Sequence, residues 1–161
     1  MRTDIPTSLA ESSFELAPDA IAFLYRVELT DSTLFLLSPH QEVTWQGELY
    51  EQVPCHMTEV YQEADGKRGR PKFSFVNPDG LFTQRIYQGD LDNASVTRIR
   101  ILKADLDADQ DFALTETFRV SKILTMNKSL VSVELRDVLD GHQFTLPARA
   151  YYPPDFPHVK L

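Results

Sequence analysis

Four aspartates alternate through Asp105, Asp107, Asp109 and Asp111, and Glu116 follows five residues on. These residues fall at positions 1, 3, 5, 7 and 12 of a calcium loop, where hard carboxylate oxygens wrap the ion. Position 6 is Gln110, however, where the sharp turn of such a loop calls for Gly. The flanks also read as strands and not as the helices of an EF-hand. The reading is therefore a solvated acidic loop with no metal, and Asp105, Asp107, Asp109 and Glu116 are the candidate ligands should one bind.

A second charged feature is Lys67-Arg68-Gly69-Arg70, three cations within four residues. In an acidic chain such a loop fits contact with another protein better than contact with DNA, so Lys67, Arg68 and Arg70 are expected at a partner interface. Near the end of the chain Tyr151, Tyr152 and Phe156 stand among prolines. Aromatic side chains are enriched where partners dock, which adds these three to the interface set.

Catalytic patterns are not found. His40, His56, His142 and His158 are scattered, with no metal-ligand spacing. The sequence holds no G-x-S-x-G elbow, phosphate-binding loop or dinucleotide fingerprint. Cys55, the single cysteine, lies in an apolar-rich segment and reads as a small buried hydrophobe. No enzymatic activity and no cofactor are expected. A second reading is a stand-alone β-barrel module that binds carbohydrate or cell wall through Trp45, Tyr50 and Tyr61. A third, a hydrolase with an unrecognised carboxylate pair, has no motif behind it.

The elements around these residues are mostly short strands. Ala20 to Leu29 alternates, with Ile21, Phe23, Tyr25, Val27 and Leu29 on one face. Thr33 to Leu37 is a second strand. Gln46-Gly47 separates Glu42–Trp45 from Glu48–Val53 as a hairpin, because such turns require positive φ and Gly supplies it. Extended segments follow at Cys55–Gln62, Lys72–Val76, Ser95–Ala104, Thr115–Thr125 and Leu130–Leu139, with turns at Asn127-Lys128 and Asp140-Gly141. Two helices are expected. One spans residues 5–16 with Ser8 and Glu11 at capping-box spacing; the other spans Pro78–Gln88, opened by Asn77 and closed by Gly89. The sum is mainly β: an antiparallel barrel or sandwich of about 8–10 strands with one or two short helices. Residues 1–146 form a single domain, and 147–161 an extended arm rich in Pro and aromatics.

Composition sets further bounds. The 161 residues carry a formal net charge of -8, which disfavours general nucleic-acid binding. No run of about 18 apolar residues exists, so no membrane span is expected. The N-terminal stretch is acidic and lacks an apolar signal region, which points to synthesis in a cytoplasm.

The segment Glu42–Gly80 resembles the minor tail protein L family of long-tailed bacteriophages. The resembling residues are Val43-Thr44-Trp45-Gln46-Gly47, Tyr50, Pro54, the Gly66–Arg70 loop with Pro71, Phe73–Asn77 and Gly80. Looser matches are Val27–Thr30, Val96–Arg98, Phe118–Val120 and Phe144–Arg149. The lambda-type member continues into a cysteine-rich region that holds an iron–sulfur cluster, and a chain with Cys55 alone cannot supply its thiolates. The resemblance implies a structural component of the tail tip, or baseplate hub, in the virion. Implied partners are the distal tail protein, the central hub or tail fibre protein, and further copies of itself in a ring. DNA would pass through the ring's channel without specific binding.

Overall fold

A computed structural model describes residues 5–15, 19–60, 69–77, 80–138 and 140. Among these residues nine strands form one sheet: β1 (Ile21–Glu28), β2 (Leu34–Ser38), β3 (Val43–Trp45), β4 (Glu48–Gln52), β5 (Cys55–Met57), β6 (Lys72–Val76), β7 (Ser95–Leu102), β8 (Ala113–Met126) and β9 (Leu130–Asp137). Their spatial order is β3-β4-β2-β1-β7-β8-β9-β6-β5. The helices are α1 (Thr7–Ser12), α2 (Leu81–Tyr87) and α3 (Lys103–Asp107). The mainly β class is as expected. Two details differ. The sheet is mixed, since β2 and β4 pair in parallel through Leu37↔Glu51 and Ser38↔Gln52. Among the described residues it also ends in two edges, β3 and β5, and does not close into a barrel.

The sheet nevertheless curls. Tyr25 on β1 and Phe73 on β6 have ring centroids 5.0 Å apart, although β7, β8 and β9 lie between their strands. In a flat sheet four strand spacings would separate them by about 19 Å. Helix α2 fills the opening. Phe82 contacts Phe35 of β2 on one side and Phe75 of β6 on the other, each at 5.0 Å. The concave face thus gathers the larger core: Tyr25, Val27, Met57, Phe73, Phe75, Val96, Phe118, Val120, Val131, Val133 and Leu135. Burying this much apolar surface is the main force that bends the sheet.

Strand β1 contributes to both faces. Tyr25 and Val27 point into the large core as the alternation predicts, while Leu24 joins a second cluster with Trp45, Tyr50, Ile99, Ile101 and Leu106. That second cluster lies where the β3–β4 hairpin and α3 cover the convex side.

The helices depart from expectation at their ends. Ser8 lies inside α1, whose N-cap is Pro6 with no side-chain cap, so the Ser8/Glu11 capping box is not formed. Asn77 does serve the start of α2: its Oδ1 accepts from the Phe82 N–H at 2.9 Å. Gly89, at φ +83, closes that helix. The segment read as an acidic loop contains α3 instead. Leu106 buries on the second cluster, and Asp19 Oδ2 accepts from the Ala104 N–H at 3.0 Å, which satisfies a free donor in the helix's first turn. The arm 147–161 and the expected hairpin at Asp140-Gly141 lie outside the described residues.

Candidate functional site

The hairpin turn Gln46-Gly47 has φ +53 and +75, the two positive values of a tight primed turn. It docks onto the turn after α3. The Trp45 indole Nε1 donates to the Gln110 carbonyl at 3.0 Å, the Gln46 N–H donates to Asp109 Oδ1 at 2.7 Å, and Gln46 Nε2 donates to the Asp109 carbonyl at 2.9 Å. The distinctive VTWQG block is therefore a brace between two parts of the chain. Trp45 and Tyr50 are only 7% and 1% exposed, and their rings lie tilted at 53° with centroids 6.4 Å apart in the second core. Neither ring is free to stack on a sugar, and Tyr61 lies outside the described residues.

The candidate calcium ligands do not converge. Asp105 and Asp107 are on α3, Asp109 is bonded to Gln46, and Glu116 is on β8 with its carboxylate turned to two arginines. Among the described residues no group of three or more His, Cys, Asp or Glu is placed to share an ion.

Of the expected interface residues, Arg70 is described, and Lys67, Arg68, Tyr151, Tyr152 and Phe156 lie outside the described residues. Arg70 is anchored within the chain. Its Nη1 donates to Glu134 Oε1 at 3.2 Å and its Nη2 to Asp140 Oδ2 at 3.1 Å. The bond to Glu134, reinforced by Asp140, raises the guanidinium pKa further above its ordinary value. The head remains about half exposed, so it is oriented and still reachable.

The most buried charge among the described residues escaped the sequence reading. Arg98, on β7, is 2% exposed within the concave face. Its Nε and Nη2 donate to Glu116 Oε2 at 3.0 and 2.6 Å, and Arg100 Nη2 reaches the same oxygen at 3.0 Å. Glu59, just beyond edge strand β5, reaches in to Arg98 Nη1 at 3.5 Å. The cluster thus ties β7 and β8 to the far edge of the curled sheet. The signal in sequence was Val96, Arg98 and Arg100 at period two, which put both arginines on the face of a buried valine. The carboxylate partner becomes visible only with the register Arg98↔Glu116.

Cys55 packs against the large core, and burial pushes its thiol up to about 12. A thiol held in its neutral form is a poor nucleophile. Burial likewise raises the phenols of Tyr25 and Tyr50 to about 12. The site chemistry is thus structural: ion pairs and braces that fix a curled sheet, with charged groups left on its outer surface.

Comparison with known proteins agrees with that character. The family model described as phage minor tail protein L matches residues 28–153. The chain belongs to that family, which makes it a structural component of a phage tail. No curated protein matches it. Among solved structures, a chain from the virion of a native gene transfer agent particle is similar, with a TM-score of 0.64 and 17% identity over 92% of this chain and 50% of that chain. At that identity the likeness is one of fold, and this chain spans about half the length of the virion chain it matches.

Proposed function

We propose that the protein is a non-enzymatic tail-tip, or baseplate hub, component that joins the distal tail ring to the central hub or tail fibre protein around the DNA channel. The observation that carries this reading is the family match over residues 28–153. The fold adds support, since a curled sheet braced by internal ion pairs and hairpin bonds suits a part that must hold its shape in a particle. An acidic chain also suits a channel wall, because like charge keeps DNA from adhering. Lys67, Arg68 and Arg70, with Tyr151, Tyr152 and Phe156 of the arm, are the proposed contacts to neighbouring tail proteins.

The test is genetic. Phage lacking this gene should release DNA-filled heads without finished tails, and the intact gene supplied in trans should restore them. Normal tails from the deletion phage would refute the assignment.

A further inference from the structure

We propose that the outer face of β8, β9 and β6 binds the acidic end of a second copy of this chain, the segment Asp105–Asp111. The starting point is a cross-strand pair of like charges. Arg119 on β8 stands directly opposite Arg136 on β9. Like charges so placed repel, and they ordinarily destabilise a sheet. Among the described residues neither arginine has a carboxylate partner. Arg119 Nη1 donates to the Asn93 carbonyl at 3.3 Å, Arg136 Nη2 to Asn93 Oδ1 at 3.0 Å, and Arg136 Nη1 to the Asp140 carbonyl at 3.3 Å. Asn93 itself sits at φ +60. Both heads are therefore aimed by neutral acceptors, and no carboxylate among the described residues neutralises them.

The face continues as a basic stripe. Lys122 and Lys72 are each in register with Glu134, and Arg70 bonds it as well. Among the described residues Glu134 and Asp140 are the carboxylates paired with members of this set of five cations. Glu28 stands in the row of Arg119, two strands away on β1. In a chain of net charge -8, such a stripe leaves the acidic excess elsewhere.

Part of that excess lies at the other end of β7. Ser95, the register partner of Arg119, begins β7, and Leu102 ends it where α3 starts. Eight strand residues place the two ends about 23 Å apart. Asp107 and Asp111 are exposed there, and Asp111 has no ion-pair partner among the described residues. The basic face and the acidic end cannot meet within one chain, but they can meet between copies. Because the two patches differ, the contact is heterologous: it runs head to tail and closes as a ring or extends as a filament. The proposal deepens the tail-hub reading by naming the faces through which copies would join, and rests on that reading only for the expectation of a closed ring.

The experiment combines Arg136→Cys with Asp111→Cys in the full chain, in purified protein and in phage particles, under mild oxidation. Cys55 is packed against the core and contributes little background. A ladder of cross-linked oligomers from the double variant, at least about tenfold stronger than from either single variant, is expected in one or both samples, a contrast equal to about 1.4 kcal/mol of contact preference. No ladder in either sample overturns the proposal. A charge-reversed Arg119→Glu/Arg136→Glu protein supplies a second readout: if the unmodified chain retains duplex DNA at physiological salt and this variant does not, the face is a nucleic-acid site and the proposal is wrong. Whether the chain occurs in tails at all is scored separately by immunoblot, so failure of the contact and failure of the tail assignment are distinguishable.

Discussion

Arg98 donates twice to a single oxygen of Glu116, from Nε at 3.0 Å and from Nη2 at 2.6 Å, inside the curl of the sheet. A guanidinium so buried depends on its carboxylate. Glu116→Ala should cost about 3–5 kcal/mol of stability, the range for stripping one partner from a buried pair. Replacing both residues, as Arg98→Met with Glu116→Leu, should cost clearly less than the single change, since the fully buried guanidinium is gone and the Arg100 head left without Glu116 is partly exposed to water. Denaturant unfolding of the two variants checks the order, and a more severe loss in the double variant would sink the idea.

The second brace is Gln46 on Asp109. Asp109→Ala removes the acceptor for the Gln46 N–H and should cost roughly 1 kcal/mol in the same measurement. Gly47→Ala should cost about 1–2 kcal/mol through backbone strain alone, because φ is +75 and an added Cβ meets nothing within 4 Å. If Gly47→Ala proves neutral, the turn does not hold the conformation described.

Alkaline pH should weaken the fold in a defined window. The Cys55 thiol is raised from 9.0 to about 12 by burial, so the native state keeps a proton that the unfolded chain releases. The associated stability is full below 9.0 and is lost as pH climbs from there toward about 12. Tyr25 and Tyr50, raised from 10.0 to about 12, act in the same direction over the upper part of that range. Unfolding midpoints measured from pH 7 to 11 should fall above 9, with a shallower fall in Cys55→Ala. At pH 8 the native thiol should resist disulfide exchange reagents that modify it at once in denaturant; rapid native labelling would contradict the burial.

Calcium should leave the thermal midpoint unchanged, since Asp109 and Glu116 are held by Gln46 and by Arg98 with Arg100. A rise in midpoint on adding calcium, reversed by chelation, would show that the segment 105–116 rearranges around the ion.

Much of the fold was legible in the sequence because short strands leave a period-two record. The β1 face of Tyr25 and Val27, the Gln46-Gly47 hairpin and the Asn77 and Gly89 helix ends all follow local rules. What escaped was set by distant contacts. Four aspartates masked α3, whose existence depends on Leu106 finding the second core and on Asp19, just before β1, accepting from its first turn. The parallel pairing of β2 with β4 depends on where the β3–β4 hairpin folds back, which no local signal encodes. The depth of the curl was equally invisible, since it depends on Phe82 of α2 wedging between Phe35 of β2 and Phe75 of β6 across the concave face. The candidate site was less legible still. The opposition of Arg119 and Arg136 is a product of register, and register appears only once the bulges near Val120/Lys122 and Ile123/Thr125 are known.

Removing residues 150–161 should leave a folded protein, because the described residues alone supply two extensive apolar clusters. The same truncation should stop tail assembly if the arm grips a neighbour. Circular dichroism and electron microscopy of the mutant lysate check the two halves, and normal tails would remove the arm from the interface.

The most direct test of the tail-tip assignment is gold-labelled antibody against this chain on intact particles viewed by electron microscopy. We expect label at the end of the tail distal to the head. Label spread along the tail tube, confined to the head, or absent from particles that carry finished tails would contradict it.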